Sequence, residues 1–165
     1  MKTISKYFLC LMSFVFLSSA YAKACIPHHD TSVKLLFLQQ ANSGSILPIK
    51  NKAGCYQLVL ERLHPHILYF GSAPSRSTGH FTVQQFLVTL EHNQRVDLVV
   101  PNGTLNAYSD PLKREINLVG KLSNAFYKNK DFHYNFCLLN DNKTVKEGKL
   151  RVINLFIDPV HRWPP

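Results

Sequence analysis

The sequence predicts an α+β domain that is mainly antiparallel β, a sandwich-like or strongly curved sheet of about seven or eight strands with two short helices. Three observations predict it. Apolar and polar residues alternate with period two in short runs, most clearly in Tyr56-Gln57-Leu58-Val59-Leu60, the pattern of a half-buried strand. Turn-forming clusters (Pro101-Asn102-Gly103, Asp110-Pro111, Asn140-Asp141-Asn142, Glu147-Gly148) separate consecutive runs, and such short connections imply antiparallel neighbours. Two stretches instead carry apolar residues at helical spacing.

The elements follow in chain order. Residues 1–22 have the three-part order of a cleavable secretory signal: Lys2 and Lys6 ahead of an apolar run from Tyr7 to Leu17, then Ala20-Tyr21-Ala22. That run is shorter than the roughly 20 residues a membrane-spanning helix takes. A flexible lead-in covers 23–31, one domain 32–160, and a tail 161–165. Asp30 or Thr31 can cap a first helix carrying Val33, Leu36 and Phe37 and ended by Gly44. The competing reading is a strand, because 33–38 is short and apolar. Strands are expected at 46–49, 56–63 and 66–70, and an exposed loop at 71–79, which is rich in Gly, Ser and Pro. Thr82 then caps a helix with Val83, Phe86, Leu87 and Leu90 on one face, ending near Asn93. The rest reads as β: 96–100, 104–108, 115–122, 132–139 and 149–157. In the last, Leu150, Val152, Asn154 and Phe156 alternate with Arg151, Ile153, Leu155 and Ile157, and both faces are partly apolar, as in a central strand.

The chain carries a formal charge of +9, and 17 basic against 10 acidic side chains remain once Lys2 and Lys6 leave with residues 1–22. This balance favours an anionic envelope or host-surface partner. The basic residues are nevertheless spread along the sequence, so no nucleic-acid site is expected. No segment after residue 22 is apolar enough to cross a membrane as a helix.

Cys25, Cys55 and Cys137 stay in the exported chain, an odd number for an oxidising compartment. Cys55 and Cys137 each lie in a strand-like run and can bridge. Cys25 can instead pair with Cys55, leaving Cys137 a buried thiol, or can stay free, be lipidated or bond another chain. Lys23 stands where lipoprotein processing favours a small uncharged residue.

Several segments resemble a family of small exported bacterial proteins of unknown function. They are Ser43-Gly44-Ser45, Tyr56-Gln57-Leu58-Val59-Leu60, the loop from Tyr69-Phe70-Gly71-Ser72-Ala73-Pro74 to Ser75-Arg76-Ser77-Thr78-Gly79, the Thr82-capped helix with Phe86-Leu87, and Asn154-Leu155-Phe156-Ile157-Asp158. The family loop reads Tyr-Phe-Ser-Asp-Arg-Pro-x-Arg-x-x-Gly. Pro74, Arg76 and Gly79 are kept here, whereas Ser72 and Ala73 replace its Asp-Arg pair. The resemblance implies export and a β-rich fold, and no chemistry.

The 71–80 segment is the candidate ligand site, with Arg76, His80, Ser72, Ser75 and Thr78 as its polar groups. Such a loop can offer a guanidinium and backbone N–H groups to an anion, and it precedes a helix N-terminus. His64-Pro65-His66 and His28-His29-Asp30 fall short of a metal ligand set, so neither a metal nor a cofactor is expected. Cys137 and His133 lie four apart on one strand face, too distant for a nucleophile–base pair without bending. Phe126-Tyr127-Lys128-Asn129-Lys130 reads as an aromatic–basic hairpin suited to glycan or lipid. No Gly-x-Ser-x-Gly, Cys-x-x-Cys, His-Glu-x-x-His or phosphate loop occurs. The expectation is therefore a secreted or periplasmic, non-enzymatic binding module. The alternatives are an exported hydrolase built around 71–80 and an envelope lipoprotein anchored through Cys25.

Overall fold

A computed structural model describes residues 34–73, 76–95, 100–140 and 145–161, with side chains to Asp158. The export segment, Cys25, the tail beyond 161 and most of the strand expected at 96–100 lie outside the described residues.

Eight strands and one helix make up the body: β1 (Lys34–Pro48), β2 (Cys55–Glu61), β3 (His66–Gly71), β4 (Thr78–Thr82), α1 (Val83–Arg95), β5 (Asn102–Ser109), β6 (Arg114–Lys128), β7 (Asp131–Leu138) and β8 (Gly148–His161). Every pairing is antiparallel. The expected mainly antiparallel sheet is present. The sandwich is replaced by a closed barrel of six strands in the ring β1-β2-β7-β6-β5-β8. β1 closes the ring by dividing one edge between two partners. Its first half pairs with β3 (Leu35↔Gly71 to Leu38↔Leu68), its second half with β2 (Ser43↔Glu61 to Pro48↔Tyr56), and its other edge runs along β8. The β3–β4 hairpin thus projects from the ring instead of joining it. Closure leaves no free edge in the ring itself.

The helix expected over the first apolar stretch is a strand. Leu35, Phe37, Gln39 and Ala41 are buried in alternation. The run Leu35-Leu36-Phe37-Leu38 satisfies a helical stripe and a two-sided strand equally well, and pairing with β8 and β3 decides between them. Two local expectations also change. Thr78 and Gly79 belong to β4, and Asn102 and Gly103 open β5 opposite Lys121 and Gly120 instead of forming a turn. By contrast, the β6–β7 connection is a two-residue hairpin turn in which Asn129 (φ 54°) and Lys130 (φ 69°) are both left-handed, which matches the twist of the flanking strands.

The core lies inside the ring, where Leu58, Leu60, Leu105, Leu122, Phe136 and Leu155 are buried. Helix α1 closes the end at which β1, β5 and β7 begin. Thr82 starts it with a reciprocal cap: the Gln85 N–H donates to Thr82 Oγ1 (3.2 Å), and the Thr82 N–H donates to Gln85 Oε1 (2.9 Å). Phe86 enters the barrel mouth edge-on to Phe37 (4.9 Å) and Phe132 (5.8 Å). Burying such a ring stabilises by about 2–3 kcal/mol. On β2 and β7, Cys55 and Cys137 are register partners and form a disulfide, so the bridge joins two strands of the ring. Cys137 is therefore not a thiol available to His133.

Candidate functional site

Backbone hydrogen bonds draw together the described residues of the 71–80 segment. The Gly71 N–H donates to the Ser77 carbonyl (2.6 Å), the Arg76 N–H to the Ser72 carbonyl (3.2 Å), and the Ser72 N–H to the Lys34 carbonyl (2.9 Å). Arg76 takes a left-handed φ of 42° and is exposed, as are Ser72, Thr78 and His80. Ser75 lies outside the described residues. Among the described residues the ion pairs are Arg95–Glu91 and Arg151–Asp110, so Arg76 has no carboxylate partner there. β4 separates this loop from α1, whose first turn is already capped by Thr82 and Gln85. Gly79 has a packing reason: a Cβ there would come within 2.8 Å of the Tyr69 hydroxyl, because that ring lies across the glycine.

His80 joins a row of exposed imidazoles, 6.1 Å from His66, which is 5.7 Å from His64. The His66 N–H donates to His64 Nδ1 (3.3 Å). Among the described residues no group of three or more His, Cys, Asp and Glu side chains is arranged to hold a metal ion. At the β6–β7 hairpin, Phe126 and Tyr127 are 38% and 37% exposed. Phe126 stacks on His133 at 4.4 Å with the rings 5° apart.

A concave site lies elsewhere, on the outer face of β8, β5 and β6. An open groove of about 630 Å³ is lined there by Asn106 and Tyr108 of β5, Glu115 and Asn117 of β6, and Arg151, Val152 and Asn154 of β8. Register explains the grouping. Asn154 pairs with Asn106 and Asn106 with Asn117, while Arg151 pairs with Tyr108 and Tyr108 with Glu115. Two parallel rows result, one of amides and one of Arg, Tyr and Glu. Gln40 of β1 extends the amide row, its Nε2 donating to Asn154 Oδ1 (2.8 Å).

A bulge shapes the groove. On β8, Val152 has a left-handed φ of 50°, and the pairing with β5 shifts register between Asn106 and Tyr108. Arg151 and Val152 consequently both face outward, and burial resumes at Ile153, Leu155 and Ile157. The guanidinium of Arg151 lies over the Tyr108 ring, 5.2 Å from its centroid. Asp110, in the β5–β6 turn, holds it there: Arg151 Nε donates to Asp110 Oδ1 at 2.8 Å, with Nη2 at 2.7 Å from the same oxygen.

Sequence reasoning did not find this groove, because its residues come from three strands and form no local motif. One signal was present. Asn is disfavoured in strands, and Asn106, Asn117 and Asn154 each lie inside one. Compared with known proteins, the chain matches no family model, and no curated protein or solved structure shows significant similarity to it.

Proposed function

We propose that this protein is an exported, non-enzymatic binding module whose ligand site is the groove on β8, β5 and β6. The observation that carries the reading is the assembly of Asn106, Asn117, Asn154, Tyr108 and Arg151 into one concavity on a rigid barrel wall. Hydrogen-bonding groups held on strands are suited to recognition, since little ordering remains to be done on binding. Val152 adds support: a β-branched residue held at positive φ is costly, and such backbone outliers cluster at functional sites. A role outside the cytoplasm is supported by the Cys55–Cys137 disulfide, which persists in oxidising compartments, together with the signal-like order of residues 1–22.

The test is capture from fractionated cell-envelope and surface extracts by the immobilised protein and by Asn106→Trp, which fills the groove from an outward-facing position. The reading expects components retained by the wild type and lost with N106W. Equal retention by both, or no retention by either, overturns it.

A further inference from the structure

We infer that the ligand of the groove is a neutral saccharide, an oligomer lying across β8, β5 and β6; this deepens the binding-module reading and rests on it. Charge is the first argument. The lining holds one cation, Arg151, and one anion, Glu115, and Arg151 is already engaged by Asp110. A site for phosphate, sulfate or carboxylate needs donors in excess and an uncommitted positive charge. This groove has neither, although the chain as a whole is strongly basic.

Hydrogen-bonding type is the second argument. Each asparagine side chain offers both an acceptor oxygen and a two-proton donor, the complement of a sugar hydroxyl, which also donates and accepts. Among the described residues neither Asn106 nor Asn117 spends its side-chain amide on a protein partner. Asn154 is oriented by Gln40, which occupies its oxygen and leaves its amino group for a ligand.

Spacing is the third. Register partners on adjacent antiparallel strands stand roughly 5 Å apart. Asn154, Asn106 and Asn117 therefore repeat at about the length of one pyranose residue, so a glycan crossing the strands meets one amide per unit. The neighbouring row supplies the apolar contact that the C–H faces of a sugar require, from the Tyr108 ring and the Val152 methyls. Arg151 over Tyr108, pinned by Asp110, fixes that ring in place.

Calorimetric titration of the full exported chain with neutral cello-, chito-, manno- and malto-oligosaccharides tests the inference, with a sulfated and a uronic oligosaccharide run alongside. At least one neutral series is expected to bind, with affinity rising from one unit to three and then levelling. Asn106→Ala and Asn117→Ala should each weaken binding roughly tenfold, the effect of losing one or two neutral hydrogen bonds. Both side chains face outward, and an unchanged thermal melt confirms that the variants fold. No binding by any neutral series, binding by the anionic probes alone, or full affinity in both variants overturns the inference. If extract capture stays sensitive to N106W while every neutral glycan fails, the saccharide assignment falls and the binding module stands. If capture fails as well, both fall.

Discussion

Inside the barrel the Tyr134 hydroxyl donates a 2.8 Å hydrogen bond to Gln39 Oε1, reaching from β7 to β1 past the intervening β2. Both side chains are buried, and Gln39 Nε2 has no hydrogen-bond partner among the described residues. Tyr134→Phe leaves the Gln39 oxygen unpaired as well, so it should cost about 1–3 kcal/mol in urea unfolding. Adding Gln39→Leu removes the stranded amide and should recover most of that loss. Burial raises the Tyr134 pKa well above 10.0, and the bond to Gln39 lowers it only in part. The folded state therefore keeps this proton where the unfolded chain releases it. The contribution is fully present below about pH 10 and is lost as pH rises beyond it. Unfolding titrations at alkaline pH should show a shallower decline for Y134F than for the wild type.

The strands were legible where one face alone meets the core. Tyr56, Leu58 and Leu60, or Phe132, Tyr134 and Phe136, alternate because the opposite side of the strand faces outward. The helix at 83–95 was legible for a local reason, since Thr82, Gln85 and the Phe86 stripe lie within two turns. What escaped is non-local. Nothing in 34–48 tells that one edge serves β3 and then β2, and that division makes a barrel instead of a sandwich. In β8 the expected alternation of Leu150, Val152, Asn154 and Phe156 breaks at Val152, because the bulge puts Leu150 on the same buried side as Ile153, Leu155 and Ile157. The pairing of Arg151 with Tyr108 depends on that break, which is why the second row of the groove could not be read from spacing.

Cys55 and Cys137 close a loop of 82 residues between ring neighbours. On a chain-entropy basis, constraining a loop of that length stabilises by about 4–5 kcal/mol. Cys55→Ser/Cys137→Ser, or dithiothreitol added to the wild type, should lower the guanidinium midpoint by a corresponding amount. The reductant should leave the double variant unaffected. A midpoint equal in all three conditions would mean that the bridge does not form in solution.

Gly44 sits where β1 runs between β2 and β8. A Cβ there would meet the Val59 carbonyl oxygen and lie 2.6 Å from Ile153 Cδ1. The isoleucine methyl can rotate away, but the carbonyl belongs to the β1–β2 ladder. Gly44→Ala should therefore cost at least the 1–3 kcal/mol typical of overpacking, by separating the strands that close the ring. Amide exchange should report it first at Val59 and Leu60, before the β5–β6 pair is affected.

Val152 gives the prediction most closely tied to the groove. Its side chain is 70% exposed, so little buried area opposes its replacement. Its φ of 50° costs an L-residue about 1–2 kcal/mol, and branching at Cβ adds to the crowding. Asparagine tolerates this conformation, because its short polar side chain bonds locally. Val152→Asn should raise stability by about 1 kcal/mol and the melting temperature by roughly 2–4 °C. The same substitution removes methyls from the groove lining, so binding in the groove should weaken while the fold gains. A variant that gains stability and keeps full affinity would make the strain a by-product of the bulge. Loss of stability would mean that the valine relieves more than its backbone costs, and the link between strain and site would fail.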